Sequence, residues 1–174
     1  MKLKQNHTVV AALSGALFIG LAGISNTALG ASATGTATAT IVTPIGITAG
    51  ANLQFGNMLS SAVAGTATVA ATSSATAVYG SGVSAAGTGG TSNAGTFSIT
   101  GSTGVAYTLT VPASVTLNSG ANSMTATLNG SIANGTNTLS ASPTTLYVGG
   151  VLSVGANQAA GSYSGTYSVT VTYN

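Results

Sequence analysis

The side chains that could move a proton at neutral pH, hold a metal or pair with phosphate are Lys2, Lys4 and His7, and all three stand within the first seven residues. From residue 8 onward the sequence has no Asp, Glu, Lys, Arg, His or Cys. What remains with any reactivity is the hydroxyl of Ser, Thr and Tyr. A Ser or Thr nucleophile needs a neighbouring base, and the chain supplies none. Tyrosine phenols titrate near pH ~10, too high for general acid–base work at neutrality. Without imidazole, thiolate or carboxylate there is no metal site, and without cations there is no grip on nucleic acid. These residue types point to a structural or interaction protein with no cofactor, and away from an enzyme.

The charged residues belong to a leader. Residues 1–7 form a basic n-region, residues 8–24 (TVVAALSGALFIGLAGI) an apolar core, and small-residue exits follow at Ala28-Leu29-Gly30 and Ala31-Ser32-Ala33. The expected organisation is a secretory signal peptide over residues 1–33 and one domain over residues 34–174. A membrane anchor is the alternative, disfavoured by the glycines and the small-residue exit. The sequence pI of 9.2 then describes the leader, because removal of Lys2 and Lys4 leaves nothing to steer the chain to nucleic acid or anionic lipid.

After the leader the apolar period is two. Tyr163, Gly165, Tyr167, Val169, Val171 and Tyr173 alternate with Ser162, Ser164, Thr166, Ser168, Thr170 and Thr172, as in a half-buried strand. Val105, Tyr107, Leu109 and Val111 repeat the pattern, as do Phe97 and Ile99, and Met124, Ala126 and Leu128. Turn chemistry separates these runs at Asn52, Thr103-Gly104, Asn118-Ser119-Gly120, Asn129-Gly130, Asn134-Gly135 and residues 157–161. Strands at intervals of roughly 8–12 residues predict an all-β sandwich or barrel. Residues 60–71 read as loop then strand, residues 80–95 as a long Gly/Ser-rich loop, and Gly149-Gly150 as a bulge or bend. Pro44 places residues 36–47 at a sheet edge or breaks them into 36–42 and 45–47. The expected core includes Leu53, Phe55, Phe97, Ile99, Tyr107, Leu109, Val111, Val169 and Val171.

Leu53-Gln54-Phe55-Gly56, the run from Gly95 to Gly101 with Tyr107 to Val111, the run from Val148 to Ala156, and the closing run from Ala160 to Tyr173 carry a family likeness. Together they resemble a family of small secreted bacterial β-sandwich proteins of unknown function and, more distantly, spore-coat-U-type and chaperone–usher pilus subunits. The resemblance implies a single immunoglobulin-like sandwich of about seven to nine antiparallel strands. It also implies export through the inner membrane of a Gram-negative cell, a periplasmic chaperone as a candidate partner, and assembly into surface fibres by strand exchange. Two departures stand out. The pilus relatives commonly carry a disulfide near the first strand, where this chain has Ile45, Gly46 and Ile47, and a separate donor strand, for which only Thr34 and Gly35 precede Thr36 if cleavage follows Ala33.

On this reading residues 36–42, with Thr36, Ala37, Ala39 and Ile41, and Ile45 beyond Pro44, are either the domain's own first strand or a donor. Tyr163, Tyr167, Val169, Val171 and Tyr173 would form the acceptor. The expected partner is another copy of the chain or another surface subunit. A sheet protein normally guards its edges with lysine, inward charges or proline, and here only prolines, glycines and bulges remain, which favours association. Competing readings are a secreted module that binds carbohydrate or mediates surface adhesion, a small outer-membrane barrel, and an ice-binding face on the alternate threonines. Asn129-Gly130-Ser131 and Asn134-Gly135-Thr136 match the glycosylation sequon, but Asn-Gly is first a hairpin signal.

Overall fold

The computed structural model describes residues 30–87 and 90–174. Residues 1–29, with most of the expected leader, lie outside them. Thr40–Asn174 form one compact unit. Of the other unit, Met1–Ala39, the described residues 30–39 are exposed and carry no strand.

Among the described residues there is no helix, and the strands follow the period-two runs. β1 (Gly46–Ala49), β2 (Gln54–Phe55), β3 (Met58–Ser60), β4 (Gly65–Val69) and β5 (Ala77–Tyr79) come first. β6 (Val83–Ala85), β7 (Ser92–Asn93), β8 (Gly95–Thr100), β9 (Ala106–Thr110) and β10 (Ser114–Ser119) follow. The last are β11 (Asn122–Gly130), β12 (Gly135–Thr138), β13 (Thr144–Val154) and β14 (Thr170–Tyr173). The fourteen strands among the described residues exceed the expected seven to nine: the two main sheets hold ten, and two short pairs, β2 with β7 and β3 with β6, stand off them. β6 and β7 also fall within the stretch expected to be one long loop. Val83 is buried there, an anchor that the Gly/Ser-rich composition conceals.

The main sheet is antiparallel and has seven strands, ordered β1-β8-β13-β11-β10 with β4 beside β13 and β5 beside β4. β13 is its spine. Along one edge it pairs first with β8 (Leu146↔Phe97) and then with β4 (Leu152↔Ala67), while β11 lines the other edge. The change of partner falls at Gly149-Gly150. A Cβ on Gly149 would run into the carbonyl oxygen of Val69, and one on Gly150 would stand 2.5 Å from that of Thr127. Absence of a side chain lets three strands close on one point. The expected bend is thus a handover between partners.

A three-stranded sheet, β12-β9-β14, lies over part of this sheet. One core cluster joins the two, with Ile99, Tyr107, Leu109, Val111, Leu139, Leu146 and Val148 buried together. A second holds Phe55, Ala67, Val69, Ala126, Leu152 and Val154. The result is an all-β antiparallel sandwich whose main sheet is open, so the barrel alternative does not describe it. Phe55, Ile99, Tyr107, Leu109 and Val111 are buried as expected, whereas Leu53, Phe97, Val169 and Val171 only pack against the core half-buried.

Turn readings fare unevenly. Gly120, at φ 58°, forms the β10–β11 turn with Ala121. Asn129-Gly130, expected to be a turn, instead ends β11, opposite Gly149 and Val148. Asn134 does structural work: its Oδ1 accepts the Val111 N–H at 2.7 Å and its Nδ2 donates to the Val111 carbonyl at 2.8 Å. A side-chain amide thus carries the pairing with β9 past the end of β12.

Two outcomes follow from this core. Gly149→Ala should lower unfolding stability by about 1–3 kcal/mol in a urea titration, since its Cβ has only backbone to displace. The second concerns pH. Burial pushes the phenols of Tyr107 and Tyr167 above their ordinary value. Their raised folded pKa means that the folded state holds those protons more tightly, so their contribution is complete below about pH 10 and is lost as pH rises beyond it. Melting temperatures should superimpose from about pH 4 to 9 and fall above about pH 10; a large shift near neutrality would contradict this.

Candidate functional site

The two segments expected to carry assembly are not paired with each other. Residues 36–42 belong to no sheet and are exposed, Ile41 to 98% and Val42 to 44%. They are therefore not the first strand of this sandwich. That place falls to β1, which begins at Gly46, past the proline that cannot donate a ladder bond. Ile45 and Ile47 are half-buried against the core.

The C-terminal segment keeps its alternation and loses most of its ladder. Tyr163, Tyr167, Val169, Val171 and Tyr173 are half-buried, and the Ser and Thr residues between them are exposed. Only β14 pairs with β9, and a single further bridge joins Ser164 to Asn118 of β10. The Asn174 N–H donates to the Ala106 carbonyl at 3.3 Å, which makes 170 and 172 the bonded positions of β14. Next in that series is Ser168. It would face Pro112, which has no N–H to give. Beyond the gap, Asn118 and Ser164 exchange bonds of 2.8 and 3.1 Å. Thr170 lies six residues past Ser164, whereas Asn118 lies eight past Thr110, so the strands cannot stay in register and residues 165–169 have no ladder partner.

This leaves two free backbone edges. On β14 the odd-numbered groups face away from β9. On β1 the Gly50 N–H donates to Thr96 at 2.8 Å, so 46 and 48 are the bonded positions and the backbone of Ile45, Ile47 and Ala49 faces outward. The C-terminal segment runs in the same direction as β8, with Tyr167 against Phe97 and Tyr173 against Gly101. β1 runs antiparallel to β8, so the two edges form antiparallel lips.

Between the lips lies a seam tied at both ends. At one end the Tyr173 hydroxyl donates to the Thr43 carbonyl at 2.9 Å. At the other the Asn157 N–H donates to Ser61 at 2.7 Å and the Ser60 hydroxyl to Gln158 at 3.0 Å. Midway, Tyr167 meets Phe97 edge-on, with centroids 6.0 Å apart at 67°. Its phenol oxygen sits over Gly95 beside Leu53, where any Cβ would collide with it. Past Tyr167 the seam widens into a cavity of about 820 Å3, with Leu53, Phe55 and Met58 on one side and Gln158 and Tyr163 on the other. Its floor is Leu117, Met124, Leu152 and Val154.

The lining is neutral. Tyr163 accepts from Gln158 Nε2 and donates to the Ala159 carbonyl, each at 2.8 Å, and burial keeps the Tyr167 phenol protonated. Such a seam offers apolar side-chain pockets flanked by unpaired peptide groups, the chemistry that accepts an extended polypeptide. Of the other edges, β5 has only three residues and Ser164 covers β10 at Asn118. Sequence reasoning found the second lip through its alternation. It missed the first lip's continuation through residues 53–60, where the signal was two short apolar pairs, Leu53 with Phe55 and Met58 with Leu59.

Residues 45–173 match the family model described as Domain of unknown function (DUF4402). The chain belongs to this family. The DUF4402 domain thus runs from the half-buried Ile45 of the first lip to Tyr173 at the end of the second, and residues 36–42 stand ahead of it. No curated protein and no solved structure matches the chain.

The collision at Gly95 sets up a double-mutant cycle. Gly95→Ala should destabilise the domain by about 1–3 kcal/mol in denaturant, and adding Tyr167→Phe should recover much of that loss, because the phenol oxygen is what the new methyl meets. Simple additivity of the two substitutions would show that the ring does not sit over Gly95.

Proposed function

We propose that this DUF4402 chain is an exported structural subunit of a cell-surface fibre or extracellular matrix, and that copies associate by placing residues 36–42 of one into the seam of the next. The observation that carries the reading is the seam itself: two unpaired antiparallel lips over an incompletely covered apolar core, in a chain that also holds an exposed, alternating segment outside every sheet. Residues 36–42 would add a strand beside the C-terminal lip, with Ala37, Ala39 and Ile41 turned inward and Thr36, Thr38 and Thr40 outward. Ala37 and Ala39 suit the narrow part of the seam, and Ile41 suits the wide cavity. The resemblance to chaperone–usher pilus subunits, with their immunoglobulin-like sandwiches and export through a Gram-negative inner membrane, supports the same picture and would supply a periplasmic chaperone to shield the seam before assembly.

The second reading is a monomeric binding module. The 820 Å3 cavity favours it, since a neutral rim with Tyr163 and Gln158 could hold an uncharged sugar. One substitution separates the two. Ile41→Asp should abolish filaments seen by electron microscopy of culture supernatant and cell surface, yet leave the melting curve within about 0.5 kcal/mol of the parent, because Ile41 is 98% exposed. Filaments undiminished by Ile41→Asp, or a protein lacking residues 34–42 that neither binds nor is stabilised by the corresponding peptide, would rule out strand exchange.

A further inference from the structure

We infer that Tyr173 is a latch that holds one end of the seam shut and sets how readily it admits a strand, a role that rests on the self-association reading above. The phenol is a two-way clamp. Its hydroxyl donates to the Thr43 carbonyl at 2.9 Å and accepts the Ser102 N–H at 2.7 Å. Ser102 completes the grip, its Oγ accepting the Thr43 N–H at 2.7 Å. Both backbone groups of Thr43 are therefore held, one by the C-terminal lip and one by the β8–β9 turn.

This grip falls where the first lip has little other hold. Val42 and Ile41 are exposed, Pro44 donates nothing, and the β1–β8 ladder begins only at Gly46. The bonds at Thr43 are neutral and exposed, so they can open while the ladders stay closed. Opening would release Thr43, the point where the already exposed residues 36–42 are tethered, and widen the Tyr173 end of the seam, so that the donor gains reach as the acceptor loosens. Room for the phenol is provided by Gly101, where a Cβ would run into the Tyr173 oxygen. Gly101 is itself fixed by its N–H to Ser142 Oγ at 3.1 Å. A side chain at 101 should therefore open the latch as surely as loss of the hydroxyl.

Tyr173→Phe and Gly101→Ala in the full chain test this with two readouts. In hydrogen exchange, amides of Thr43 and Ser102 should exchange about tenfold faster in both variants, while Leu109 and Leu152 in the ladders stay unchanged. Uptake of a labelled peptide of residues 34–42 should then be roughly fivefold or more faster than in the parent. Faster exchange at Thr43 and Ser102 with peptide uptake at the parental rate would overturn the gate and leave Tyr173 a structural tie. Unchanged exchange would overturn the latch itself. No uptake by the parent and both variants would defeat the self-association reading, and the gate with it.

Discussion

A domain that has no acidic, basic or histidine side chain must satisfy its polar groups at neutral pH with uncharged hydrogen bonds, and the backbone ladders supply most of them. Everything else in this sandwich follows from that constraint. Among the described residues no polar side chain is buried and no buried side-chain nitrogen or oxygen lacks a partner. Where a ladder stops short, an amide takes over. Asn134 pairs with both groups of Val111, and Asn93 Nδ2 donates to the carbonyls of Asn52 and Ala94. What amides do not provide is repulsion. A sheet edge guarded by lysine turns away another edge, whereas one lined by Thr and Ser does not.

The seam arises from unequal sheets. β13 gathers β8, β4 and β11 about one line and builds a seven-stranded layer, but only three strands face it from the other side. The remainder is covered by the short pairs between residues 53 and 93 and by the C-terminal segment. Pro112 then sets how far that segment can be laddered. It ends the β9–β14 pairing on one side and turns the chain into β10 on the other, so the last long run of alternating residues lies across the core with much of its backbone unpaired. Ladder and burial are separable here: the side chains from Tyr163 to Tyr173 pack inward in strand fashion with only four residues in the sheet.

This separation explains which features the sequence discloses. Alternation reports the face a residue presents, and it identified Ile99, Tyr107, Leu109 and Val111 as core and the C-terminal tyrosines as one lip. Alternation is blind to pairing. Residues 36–42 alternate as cleanly as β9, yet belong to no sheet, because small alanines across Pro44 bring too little apolar area to hold a strand in place. Conversely, β6 lies in Gly/Ser-rich sequence and is anchored by the buried Val83. The cavity was the least legible feature of all. It depends on the 157–161 turn crossing back to Ser60 and Ser61, a long-range contact that no local pattern encodes.

The arrangement also constrains what kind of assembly could form. The segment that would be given leaves the sandwich at Thr43, beside Tyr173, while the widest part of the receiving seam lies toward Tyr163 at its far end. Giver and receiver are different surfaces, so an interface made from them is heterologous and extends head to tail unless the rotation closes a ring. The gradient from Ala37 and Ala39 to Ile41 would then fix the direction of the proposed donor. With Ile41 in the wide cavity near Tyr163, the proposed added strand would run antiparallel to the C-terminal lip, and the domain that follows Ile41 would come to rest against the receiver's Tyr163 end. Its own Tyr173 end, where residues 36–42 depart, would point back to that receiver, which is the polarity an unbranched filament requires.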